Sequence, residues 1–183
     1  AALALATKES IENLIASFII FFDKPFQTGD ILIVNNITGT VEKIGLRSTR
    51  IRTNQKTYVT VPNKQMVDSI VDNQTLRTQR KGEIRLQLDS STSPDTIRQL
   101  IEECKKLLSK PYLDSPTVFL NDISGTAFQL NIDYFTPPIE GGDFNEIKQK
   151  VNLEILKVLE ALKIQLSGAS TTVKIVGGKH ADV

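Results

Sequence analysis

The sequence predicts an α+β chain of three successive parts: a helix, a small all-β domain, and a βαββαβ domain. Three observations carry this. Residues 1–22 contain no glycine or proline and open on Ala and Leu, strong helix formers. Between Gly29 and about Leu76, short β-prone runs recur at close spacing with turn residues between them, the pattern of a small barrel or sandwich. From about Arg80 onward, two-residue alternation and helical periodicity take turns.

In the first part, Ile11, Leu14, Ile15, Phe18 and Phe22 recur at helical spacing. Asp23-Lys24-Pro25-Phe26 ends the helix, because a residue before proline is pushed out of the helical region. In the second, strands are expected at Ile31–Val34, Thr38–Ile44, Leu46–Arg52 and Tyr58–Val61, with turns at Asn35-Asn36 and Asn54-Gln55-Lys56. Gly39 inside its strand suits a bend or bulge. Met66, Ile70 and Val71 mark a short helical turn followed by a last strand.

In the third part, Ile84, Leu86 and Leu88 alternate as a strand. Ser93 caps a helix with Pro94 in its first turn, and Ile97, Leu100, Ile101, Cys104, Leu107 and Leu108 form its apolar stripe up to Pro111. Val118 and Leu120 mark a second strand, Ser124-Gly125 a turn, and Phe128 to Tyr134 a third strand. Pro137-Pro138 and Gly141-Gly142 read as a loop. A second helix carries Ile147, Val151, Ile155, Leu159 and Leu162, and Thr172–Val176 reads as the last strand. This order is the split-βαβ, ferredoxin-like plan. The expected parts are residues 1–23, 24–78 and 79–177, with a tail at 178–183.

Composition narrows the function classes. Of 183 residues, 40% are hydrophobic and 23% charged, enough apolar side chain to build cores. The net charge of +1 points to no partner by itself. Cys104, the single cysteine, falls in a helical stripe and reads as a small core residue. The one histidine, His180, lies in the polar tail, so a Ser-His or Cys-His pair lacks support. No phosphate-binding glycine motif and no metal-ligand spacing is present. The expectation is therefore not an enzyme, with no cofactor and no metal. The chain opens without methionine or a basic n-region, and reads as a piece of something longer rather than as a signal peptide. Its longest near-apolar run, Leu14 to Phe22, is nine residues broken by Ser17, short of the roughly 20 a membrane span needs.

Two features could carry function. From Lys43 to Val67 the chain holds six cations (Lys43, Arg47, Arg50, Arg52, Lys56 and Lys64) and no Asp or Glu. Arg50 and Arg52 share strand parity, hence a face. Such a surface is a solvated face, a phosphate-binding surface, or a positive field at a pore. Only Tyr58 offers an aromatic nearby, which argues against a base-stacking platform. At the start, Ala1, Ala2, Ala4 and Ala6 alternate with Leu3 and Leu5. Small residues let helices approach closely, and a ring of leucines resists wetting, although a soluble bundle core carries the same pattern.

The order of the motifs goes further. After the Ala/Leu helix and Asn13-Leu14 come Pro25-Phe26, Gly29-Asp30, Gly39-Thr40-Val41, Ile44-Gly45-Leu46-Arg47-Ser48-Thr49, Ile51-Arg52-Thr53 and Val61-Pro62-Asn63. This run resembles the signature of MscS-like small-conductance mechanosensitive channels, over about residues 1–75. The later α/β block resembles the same family in element order.

The resemblance implies a membrane-channel fragment: the lower part of a pore-lining helix, a small Sm-like β-domain, and a ferredoxin-like vestibule domain. It implies a homo-oligomer, normally a heptamer, in the cell (inner) membrane with both domains on the cytoplasmic side. Its partners would be membrane lipid and permeating ions and osmolytes, not nucleic acid. Opening under tension would release solutes during hypo-osmotic shock. Leu5 would fall at the lower constriction and Ala1 at the upper, with Ala2, Ala4 and Ala6 packing neighbouring helices. Glu9 would replace the glycine of the usual kink, removing its simplest cause. Lys8, Glu9 and Glu12 would face water or pair with each other or with neighbouring subunits. Asn13, Phe18, Phe22, Pro25 and Phe26 would form the helix-to-β junction, with Phe18, Phe21, Phe22 and Phe26 packing the helix onto the β-domain or against lipid. Arg47, Arg50 and Arg52 would be vestibule cations. The alternative is a soluble oligomeric small-barrel module binding nucleic acid.

Overall fold

The structure, a computed structural model, describes residues 2–167, and of residues 2–6 the backbone alone. Ala1, the expected strand Thr172–Val176 and the tail with His180 lie outside the described residues, as do the side chains of Ala2, Ala4, Leu5 and Ala6. The chain is a mixed α+β structure that divides between Arg77 and Thr78 into two compact units.

The first unit opens with α1 (Ala2–Asp23). The helix stops where Lys24 turns left-handed, with φ 47°, and its N–H reaches back to the Ile20 carbonyl at 3.1 Å. Then follow β1 (Ile31–Val34), β2 (Ile37–Ile44), β3 (Ser48–Thr53), β4 (Tyr58–Pro62), the short α2 (Asn63–Asp68) and β5 (Val71–Asn73). They build one antiparallel sheet in the order β4-β3-β2-β1-β5. Asn35 and Asn36 both take positive φ, which suits the two-residue turn joining β1 to β2. The inward row includes Leu32, Val34, Val41, Ile51 and Val61, closed over by Ile20, Phe26 and Met66.

Two expectations in this unit need correction. Leu46 is not in a strand: β3 begins at Ser48, and Leu46 is 74% exposed in a tight loop where Gly45 N–H donates to the Ser48 carbonyl at 2.9 Å. Gly39 does not make the bulge, which falls two residues later, between Val41 and Lys43. Its requirement for glycine is a close approach. A β-carbon there would stand 2.4 Å from the Arg52 carbonyl oxygen, a backbone atom held in its own strand.

The second unit contains β6 (Arg80–Asp89), α3 (Pro94–Leu108), β7 (Asp114–Ile123), β8 (Ala127–Thr136) and α4 (Gly141–Ala161). The sheet order is β6-β8-β7 with antiparallel neighbours, so β6 and β7 run parallel with β8 between them. The stripe of α3 (Ile97, Leu100, Cys104, Leu108) and that of α4 (Val151, Ile155, Leu159) bury against Leu86, Leu88, Leu130, Ile132 and Tyr134. Burial pushes the Cys104 thiol up to about 11, as a core residue's should be. Past α4 the chain returns to β6: Leu166 bridges Leu88, and Ser167 N–H donates to the Gln87 carbonyl at 2.7 Å. Gly141 and Gly142 are not loop but the first turn of α4. There the backbone N–H groups lack helical partners anyway, and Asp143 favours the helix start.

Candidate functional site at the helix–sheet junction

The functional features of the first unit meet where α1 crosses α2. The buried stripe of α1 is Asn13, Ala16, Ser17 and Ile20, one face at helical spacing. A small residue at 16 and a short hydroxyl at 17, bonded to the Leu14 carbonyl at 2.7 Å, let the helix lie close to its neighbour. Asn13 is 1% exposed and fully used. Its Nδ2 donates to the Glu9 carbonyl, and its Oδ1 accepts from the Lys64 backbone N–H, both at 3.0 Å.

That second bond does the work of a helix cap. Pro62 sits at the N-cap of α2 and supplies no side-chain acceptor. The acceptor comes instead from a residue 51 positions earlier in the chain. Beside it, Lys64 Nζ meets Glu12 Oε2 at 2.7 Å, and Lys8 approaches the same carboxylate at 3.9 Å. The hydrogen bond and charge of Glu12 hold the Lys64 ammonium above the ordinary lysine range.

Asn63, fully buried, continues the linkage into the sheet. Its Oδ1 accepts from Thr49 Oγ1 at 2.9 Å, its Nδ2 donates to the Gly45 carbonyl at 2.8 Å, and its N–H donates to the Arg47 carbonyl at 2.9 Å. Two adjacent residues, Asn63 and Lys64, thus bind α1 on one side and the Gly45–Arg47 loop on the other.

Of the residues the sequence placed at the junction, Asn13 and Phe26 are buried there. Pro25 is exposed, and its carbonyl accepts from Asn73 Nδ2 at 3.4 Å. Phe18 and Phe22 are largely open, 53% and 74% exposed. Phe18 lies one residue past Ser17 and Phe22 two past Ile20, which turns both off the inner stripe. With Ile11, Leu14, Ile15, Ile19 and Phe21 they make an exposed apolar surface along α1. At its lower end, Phe18, Phe21, Phe22, Phe26, Ile44 and Leu46 line a groove of about 600 Å³.

The three arginines do not act together. Arg52 Nη2 meets Glu42 Oε1 at 2.8 Å, and its guanidinium lies 4.0 Å from the Tyr58 ring centre. One contact neutralises the cation and the other covers the aromatic. This removes both from any nucleic-acid platform. Arg50 and Arg47 are exposed, and among the described residues neither has an ion-pair partner. Sequence reasoning missed Asn63, and it missed that Lys64 is the partner of Glu12. One signal was available: Asn13 is a polar residue at an inner-stripe position, which demands a partner from another element. Among the described residues no cluster able to hold a metal is found, and no helix is long and apolar enough to cross a membrane.

Comparison with known proteins agrees with this architecture. Residues 9–76 match the family described as "Mechanosensitive ion channel, beta-domain". An uncharacterized MscS family protein of Aquifex aeolicus is 31% identical over 163 residues, covering 87% of this chain and 44% of that protein. The small-conductance mechanosensitive channel MscMJ of Methanocaldococcus jannaschii is 32% identical over 174 residues, covering 94% of this chain and 50% of its own. The chain thus spans about half the length of these curated relatives. The cryo-EM structure of Arabidopsis thaliana MSL1 superposes with a TM-score of 0.84 at 23% identity, over 91% of this chain and 62% of that one, a likeness of fold.

Proposed function

The chain belongs to the MscS-like family of mechanosensitive ion channels, and from that premise we propose that it forms the lower pore and cytoplasmic vestibule of a tension-gated channel. In this reading α1 is the lower part of the pore helix, with Leu5 at the constriction and Ala1 above it. Ala2, Ala4 and Ala6 pack neighbouring copies. The sheet of the first unit is the Sm-like β-domain, and the second unit is the ferredoxin-like wall of the vestibule. Copies assemble as a homo-oligomer, a heptamer, in the cell membrane with both units on the cytoplasmic side. Lipid surrounds the pore, and opening releases ions and small osmolytes in hypo-osmotic shock.

One observation carries the proposal: α1 has two committed faces. One is stitched to α2 through Asn13, and the other leaves seven large apolar side chains, Ile11 to Phe22, uncovered in the single chain. A surface of that kind calls for lipid or neighbouring copies. The mechanism follows. Closed and open states differ in area within the membrane, and tension multiplied by that difference biases their equilibrium, as unequal ligand affinities would. Movement of α1 passes to the β-domain through Asn13, Glu12 and Lys64. Lys43, Arg47 and Arg50 supply positive surface, and Arg52 does not.

The test is patch-clamp recording of the full-length protein, in a host stripped of its own mechanosensitive channels, under stepped suction. Openings that rise with tension are expected, and Leu5→Ser should open at lower tension. Tight patches with protein present and no tension-dependent current would overturn the proposal. An unchanged Leu5→Ser threshold would remove Leu5 as the gate.

A further inference from the structure

The outer face of the first unit's sheet carries a charge conflict. The register shift between Val41 and Lys43 sets two residues of β2, Glu42 and Lys43, against one residue of β3, Arg50. The flanking positions Val41, Thr49 and Ile51 are buried, so Lys43 and Arg50 both face outward, and both are exposed. Like charges directly opposite on antiparallel strands repel. The one carboxylate the bulge offers is committed elsewhere. Glu42 Oε1 accepts from Arg52 Nη2 at 2.8 Å, from Arg52 Nε at 3.3 Å and from the Tyr58 hydroxyl at 3.3 Å. Among the described residues no other acid pairs with Lys43 or Arg50. On its other side Arg50 faces Thr60 of β4, also exposed.

We propose that Lys43 and Arg50 form a binding site for a small dianion of the phosphate or phosphomonoester class, with the Thr60 hydroxyl as a third contact. The arginine fork matches two oxygens of such a group, and the lysine adds a point charge. Two facing cations match a dianion, whereas chloride leaves one charge uncompensated. The outward positions beside the pair in register are Glu42, Ser48, Arg52 and Thr60, and the ring of the next, Tyr58, lies under the Arg52 guanidinium. None would anchor an acyl chain, so the anion comes from solution rather than from a lipid headgroup.

The first measurement is calorimetric titration of the purified full-length protein with inorganic phosphate, at ionic strength held constant with chloride. The wild type should bind, and Lys43→Gln or Arg50→Gln should each weaken binding by about tenfold, the loss of one charge-assisted contact. Lys56→Gln should leave it unchanged. A second variant guards against loss of folding. Lys43→Glu places an ion pair where the repulsion was, so its Tm in chloride should rise and its phosphate-dependent Tm shift should vanish. Absence of phosphate heat in the wild type, or wild-type affinity in Arg50→Gln, would overturn the site. So would an equal phosphate shift in Lys43→Glu, the mark of a general salt effect. None of these readouts is a current, so failure here leaves the channel reading untouched.

Discussion

At the scale of single residues, Asn13 ties two helices together. It is the side chain that closes the N-terminus of α2, because Pro62 has nothing to offer there. Asn13→Ala should leave the Lys64 N–H without its acceptor and cost about 1–2 kcal/mol, the range for losing a helix cap. A lower urea midpoint with an unchanged slope is the expected result, and an unchanged midpoint would mean water replaces the cap. Tyr134 makes the opposite case. Among the described residues its buried hydroxyl has no partner, while its ring lies over Gly82 on the paired strand. A β-carbon at Gly82 would stand 2.2 Å from that ring. Tyr134→Phe should therefore hold or raise the melting temperature, while Gly82→Ala should lower it by several degrees, on the order of 1–3 kcal/mol of overpacking. Equal losses in the two variants would show that the hydroxyl finds a partner after all.

Among the elements, β6 and β8 hold their outer faces together by charge. Asp133 takes Arg85 at 2.7 Å and Lys81 at 3.0 Å, and Arg85 also contacts Glu83. The hydrogen bond from Arg85, helped by Lys81 and opposed by partial burial, holds the Asp133 carboxyl below the usual carboxylate range. The sign follows from linkage. A carboxyl whose folded pKa is depressed stabilises fully above its unfolded value, and that stability is lost as pH falls through the lower folded one. Stability of the chain, followed by melting across an acid series, should fall less steeply below the ordinary aspartate range in Asp133→Asn than in the wild type. Identical slopes would place the acid sensitivity elsewhere. The same scale explains how β3 was misjudged. Leu46 continues an apolar alternation, but Asn63 takes the Gly45 carbonyl and closes the segment into a loop.

For the proposed channel as a whole molecule, the question is how α1 would pull on the sheet of the first unit. The Glu12–Lys64 pair and the Asn13 bond act side by side between residues more than fifty positions apart in the chain. Glu12→Lys should set three cations together (Lys8, the new lysine and Lys64) and loosen α1 from α2, and in the proposed channel this should shift the tension for half-maximal opening. Adding Lys64→Glu should bring that tension back toward the wild-type value. A double variant no closer to wild type than the single one would mean that the pair carries no force.

The sequence by itself determined the local structure of the chain and its family. Helix ends at Pro25 and Ser93, the Asn35-Asn36 turn, the stripes of α3 and α4 and the alternation of β6 and β8 rest on near-neighbour physics that reads directly from residue order. The run of short motifs from Asn13-Leu14 to Val61-Pro62-Asn63 was equally legible, because it depends on order and identity alone. Only the tertiary structure decided which face of α1 is buried, that Glu42 silences Arg52 while Arg50 is left facing Lys43, and that Asn63 and Lys64 join helix to sheet. The physical reason is common to all three. Each depends on a partner brought near by chain folding, at a distance along the sequence where periodicity and propensity carry no information, and a polar side chain's role is set by whichever partner arrives.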